Sequence, residues 1–201
     1  MTETKDDLPI LTLPSLKAWE EWLTREGPSA SGAWLKFAKK GAAEATLSKQ
    51  DAIDGALCHG WIDGQIGRLD AHHWLIRFTP RRPRGLWSKR NRERAEELMS
   101  AGRVTPAGVR EIEAAQEDGR WAAAYTSQGK AEVPADLAAA LEAEPNAKRF
   151  FATLTGANRY AVLHRVHTAR TEKTRAARVE KFVAMLARGE TIHPVKGKAE
   201  N

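Results

Sequence analysis

Between Gly60 and Asn91 the chain places two tryptophans, Trp61 and Trp87, near an acid, Asp63, and a run of cations, Arg77, Arg81, Arg82 and Arg84. A hydroxyl and an amide, Ser88 and Asn91, follow three residues apart. Guanidinium groups grip carboxylates and phosphates through paired donors. A serine at a helix start leaves backbone N–H groups, at the positive end of the helix dipole, facing an anion. Indole rings offer stacking faces to a planar ligand or a guanidinium. The chemistry that this mixture supports is anion capture. The candidate ligand-binding residues are Trp61, Asp63, Arg77, Arg81, Arg82, Trp87, Ser88 and Asn91, with Arg120 and Trp121 at the rim. Asp63 is expected to orient Arg77; the same two residues also read as an ordinary cross-strand ion pair worth under about 1 kcal/mol.

Other chemistries have less behind them. Phe78 and Trp87 among basic residues suggest a stacking platform for single-stranded nucleic acid, without a helix-turn-helix, RNP or zinc-finger signature to support it. Catalysis lacks a G-x-S-x-G elbow, a P-loop or a G-x-G-x-x-G turn, so an enzyme using Asp63 and Arg77 is a secondary reading. His59 reads as a helix-end capping or packing residue. His164 and His167, three apart, and the adjacent His72 and His73 come without cysteines or acids at ligand spacing, so no metal site is expected. No cofactor is expected. Cys58 is the single cysteine, which excludes an internal disulfide, and it lies near an apolar helical stripe that favours inert packing.

The elements that must position these groups are legible from capping and periodicity. Ser15 starts a helix over Leu16–Arg25, Ser48 one over Lys49–His59, Ser88 one to about Ala101, and Thr105 one with Pro106 at its first position, ending at Gly119. Strands are expected near 10–13, 33–38, 61–67 and 73–79. In Ala33–Ala38 the alternation places Trp34 and Lys36 on one face and Leu35 and Phe37 on the other. A hairpin symmetric about Asp70 pairs Ile62 with Phe78, Ile66 with Trp74 and Asp63 with Arg77. Pro80 and Pro83 bracket an extended basic linker. Beyond a polar loop at 126–133, helices are expected from Pro134 to about Glu142, Asn146 to Leu154, Asn158 to Ala169 and Thr171 to Arg188. The last carries the stripe Val179, Phe182, Val183 and Leu186.

The fold class is therefore α+β: a small antiparallel sheet with an N-terminal helix layer and a helical C-terminal half. Residues 8–130 form the α+β domain, 131–192 a helical region and 193–201 a frayed tail. Net charge is +6, concentrated at 77–94, where eight Lys or Arg accompany one acid, and at 157–198, where ten accompany three. Such segments attract phosphate, acidic surfaces or nucleic acid, and otherwise are solvated helix faces. Arg175 and Arg178 lie in the first turns of the last helix, where the dipole disfavours cations, which suggests an anionic partner. No stretch reaches the roughly 18 apolar residues that span a bilayer. The polar, acidic start, Met1 to Asp7, has no apolar core of a secretory leader, so a cytoplasmic protein is expected.

Several motifs occur together: Gly60-Trp61-Ile62-Asp63-Gly64; Arg77-Phe78-Thr79-Pro80-Arg81; Trp87-Ser88 with Asn91; and Gly119-Arg120-Trp121 followed by Ala124-Tyr125. Further on stand Pro134 with Leu137 and Leu141, Asn158-Arg159, and Thr174-Arg175 with Arg178. From about residue 10 to 190 the chain thereby resembles the bacterial YdeI/OmpD-associated family, also labelled bacteriocin-protection. The resemblance implies a link to stress or bacteriocin tolerance; the residues themselves point to an anionic small molecule or an acidic protein surface as the partner. Gly85 departs from the pattern, which has a serine two residues before the Trp-Ser pair.

Overall fold

The computed structural model describes residues 3–194 apart from 43, 127, 128 and 130. Positions 127, 128 and 130 of the expected polar loop, and the expected tail from 195 onward, lie outside the described residues. The chain divides into two units, Met1–Ala124 and Tyr125–Asn201.

In the first unit the elements run β1 (Thr4–Lys5), β2 (Leu8–Leu11), α1 (Leu16–Arg25), β3 (Ala33–Ala38), α2 (Lys49–Cys58), β4 (Trp61–Arg68), β5 (His73–Pro80), α3 (Lys89–Ser100) and α4 (Pro106–Glu117). The predicted caps form. Ser15, Ser48, Ser88 and Thr105 accept from the backbone N–H three residues on, in the geometry worth about 1 kcal/mol per cap. The strand expected at 10–13 sits two residues earlier. An unforeseen β1 precedes it, joined through Asp6 and Asp7, both at positive φ as a two-residue hairpin requires.

Sheet order is β1-β2-β3-β5-β4. The sheet is mostly antiparallel, but β2 and β3 run parallel, because α1 carries the chain back between them. β3 is buried on both faces rather than half-buried. Leu35 and Phe37 join the main core with α1 and α2, while Trp34 packs with Leu8, Ile10 and Leu75 on the opposite side. The hairpin register also differs from the symmetric expectation. Asp63 opposes Phe78 and Ile62 opposes Thr79; a bulge at Gly64-Gln65 then shifts the pairing, so that Ile66 opposes Ile76. Asp70 sets the turn, accepting from the backbone N–H groups of His72 at 2.6 Å and His73 at 2.8 Å.

The second unit is helical: α5 (Ala135–Ala143), α6 (Pro145–Thr153), α7 (Gly156–His167) and α8 (Glu172–Ala187). Thr171 caps α8, and Val179, Phe182 and Leu186 of the predicted stripe are buried with Leu137, Phe151 and Val166. No helix among the described residues is long and apolar enough to cross a membrane.

Candidate functional site

Strand β5 ends where the basic linker begins, and this junction builds a surface cleft of about 400 Å³. Arg77 and Thr79 come from β5, Asp63 and Gln65 from the bulged edge strand β4, and Arg81 and Arg82 from the linker. The linker is fixed at several points. Arg81 N–H donates to Gly60 O at 3.0 Å, and Gly85 N–H to Arg82 O at 2.8 Å. Arg120 donates through Nη1 to Gly85 O at 2.9 Å and through Nε to the Asp118 carboxylate at 2.7 Å. Arg81 is buried, its guanidinium carbon 3.4 Å from the centroid of the Trp87 ring, a cation–π stack. The Arg77 side chain makes no hydrogen bond or ion pair among the described residues, and its Nε is buried without an acceptor.

The structure thus gathers Asp63, Arg77, Arg81 and Arg82 on one cleft and places the other predicted residues elsewhere. Trp61 opposes Pro80, so it shares a face with Phe78, opposite to Arg77. It is 3% exposed and packs edge-on to Trp19 and Trp22. Trp87 is 1% exposed, between Arg81 and Trp121. Neither ring presents a free face for stacking; both are core. Asp63 and Arg77 are not opposed, and no ion pair joins them among the described residues, since the observed pairing sets the acid opposite Phe78, one position along the partner strand. Ser88 accepts from Asn91 N–H at 3.1 Å, and both lie outside the cleft lining. Arg120 serves the linker, and Trp121 donates from Nε1 to Glu96 at 3.2 Å.

Sequence reasoning passed over Asp54. It is 2% exposed on the inner face of α2, accepts from Arg94 Nε at 2.8 Å and Gln50 Nε2 at 2.9 Å, and lies 3.9 Å from Arg103. Burial pushes this carboxyl up, but the hydrogen bonds from Arg94 and Gln50 and the charges of Arg94 and Arg103 hold it below the usual carboxylate range. The available signal was an acid inside the apolar stripe Ala52, Ile53, Ala56 and Leu57. Burial pushes the neighbouring Cys58 thiol up to about 11, away from reactivity. In the second unit the two arginines suspected of awaiting an anion have partners. Arg175 grips Asp136 at 2.6 and 2.8 Å, and Arg178 donates to Arg165 O. A cavity of about 740 Å³ between α5 and α8, floored by Ala140, Val179 and Val183, contains none of the predicted site residues.

Residues 11–111, half of the chain, match a family model described as a domain of unknown function, DUF8412. Residues 130–189 match one described as bacteriocin-protection, YdeI or OmpD-associated. The motifs from Pro134 to Arg178 fall within the second match, and those from Gly60 to Asn91 within the first. No curated protein and no solved structure matches the chain.

Proposed function

We propose that this chain, which belongs to the DUF8412 family through residues 11–111 and carries a YdeI/OmpD-associated segment at 130–189, is a cytoplasmic binding protein that captures an anionic group in the cleft of Arg77, Arg81 and Arg82. The observation that carries the reading is Arg77. A buried guanidinium N–H without an acceptor costs about 1–3 kcal/mol or more, and an anion in the cleft supplies the missing acceptor. Arg82, exposed at the mouth, adds attraction. Arg81, fixed by its stack on Trp87, contributes a charge that needs no reorganisation. Asp63 borders the same cleft where β4 bulges. The printed description of the C-terminal segment supports a place in bacteriocin tolerance or a related stress response.

Inorganic phosphate tests the reading. Saturating phosphate raises the unfolding midpoint, by about 2.7 kcal/mol in stability at a hundredfold excess over Kd, and Arg77→Gln removes the rise without changing the spectrum of the folded chain. An equal rise in Arg77→Gln overturns it. Salt-sensitive retention of single-stranded DNA with no response to phosphate would favour nucleic-acid binding, carried by the exposed Arg82, Arg84, Lys89 and Arg90.

A further inference from the structure

The N-terminal unit has a second cavity, of about 570 Å³, a size suited to a small molecule, which shares no lining residue with the Arg77 cleft. It lies among the C-terminal ends of α1 and α2 and the start of α4. Trp61, the motif residue turned away from the cleft, forms part of its wall with Leu23, Pro28 and Pro106. Such a wall takes an apolar ring.

Few side chains bring polar chemistry to this space. The Thr105 hydroxyl is engaged, donating to Cys58 O at 2.8 Å and capping α4. His59 Nδ1 lies 3.0 Å from Gly55 O. A carbonyl only accepts, so Nδ1 carries the proton, and Nε2 of the neutral ring presents a lone pair. Thr24 Oγ1 is 3.3 Å from that Nε2 but 2.8 Å from Glu20 O. Its single proton goes to the shorter bond, a backbone carbonyl one helical turn back, which leaves the His59 acceptor open to a ligand donor. The Arg110 side chain, exposed on α4, makes no hydrogen bond or ion pair among the described residues. The cavity therefore combines an apolar wall, an imidazole nitrogen on one helix end and a guanidinium on another.

We propose that this cavity binds a small aromatic hydroxy acid, its ring against Pro28 and Pro106, its carboxylate on Arg110 and its hydroxyl donating to His59 Nε2. Each polar point demands one functional group, and the wall demands the ring between them. The probes are 4-hydroxybenzoate, benzoate, which lacks the hydroxyl, and methyl 4-hydroxybenzoate, which lacks the charge. Titration of the full chain, followed through the His59 ring resonances, is expected to saturate with 4-hydroxybenzoate. Benzoate and the ester each bind about tenfold more weakly, one polar contact being lost in each case. Arg110→Gln, at an exposed position that does not affect packing, weakens the acid about tenfold and leaves the ester unchanged. Arg77→Gln leaves all three affinities unchanged. Equal affinities for the three probes, no saturable shift, or an Arg110→Gln variant that binds the acid as well as the parent would each overturn the proposal.

Discussion

Asp54 shows how a single residue can be essential to packing without serving the site. Its carboxylate sits under α2 with hydrogen bonds from two side chains, and Arg94 also reaches Glu97. Removing one partner of such a pair leaves a buried charge uncompensated, which costs about 3–5 kcal/mol when both groups are buried. Arg94 is a third exposed, so solvent offsets part of that cost. Asp54→Asn is therefore expected to lower stability by about 2–3 kcal/mol, read as a lower urea midpoint at unchanged slope. A midpoint within error of the parent would mean that Arg94 is held by solvent and Glu97 alone. Arg81 is a similar case at the cleft. Its stack on Trp87 and the backbone bond to Gly60 make it a fixed part of the linker, whereas Arg77, also in the cleft lining, has a buried Nε without an acceptor among the described residues.

At the scale of elements, glycines decide how closely helices approach strands and loops. A Cβ at Gly108, in the first turn of α4, would lie 2.4 Å from Cys58 O, a backbone atom that cannot rotate away. Alanine normally favours a helix by about 1 kcal/mol over glycine, but here the overlap reverses the sign. Gly108→Ala is expected to destabilise by about 1–3 kcal/mol, seen as a lower thermal midpoint in tryptophan fluorescence; a higher midpoint would refute the close approach. Contacts of this kind separate what the sequence discloses from what it hides. Helix starts were legible because Ser15, Ser48, Ser88, Thr105 and Thr171 act on N–H groups only three residues away. The hairpin register was not, because the pairs beside the turn, Arg68 with Trp74 and Gly67 with Leu75, are centred on Ala71, and a bulge at Gly64-Gln65 then moves the pairing back by one, neither of which symmetry about Asp70 can show. That shift places Trp61 and Arg77 on opposite faces, so the motif read as one site divides between two cavities. The parallel β2–β3 pair and the second apolar face around Trp34 were hidden for the same reason. Each depends on contacts between segments distant in sequence.

Across the whole molecule the aromatic residues are segregated. All seven tryptophans fall within Met1–Ala124 and both tyrosines, Tyr125 and Tyr160, within Tyr125–Asn201, so each unit carries its own optical reporter. His164 lies between the rings of Tyr125 and Tyr160, at 4.7 and 5.4 Å between centroids. Burial, followed by the charges of Arg165, His167 and Arg178, lowers its affinity for a proton below that of a free imidazole. As pH falls through about 6.5, the unfolded chain takes up a proton at this position before the folded chain does, so acidification weakens the second unit over that interval. The shifted carboxylates behave differently. Asp54 and Asp136 are held below 3.8, and hydrogen bonds from the His73 ring and the His72 backbone hold Asp70 at about 2. Their contributions are complete above the ordinary carboxylate value and are lost only as pH falls through the lower, folded values. Between about pH 7 and about pH 5.5, therefore, the unfolding midpoint followed through tyrosine should fall while the tryptophan midpoint stays nearly constant. His164→Phe should flatten the tyrosine profile, because it keeps a ring between the two tyrosines and removes the titration. Tyrosine and tryptophan midpoints that fall together, or a profile that His164→Phe leaves unchanged, would show that the acid response of the second unit arises elsewhere.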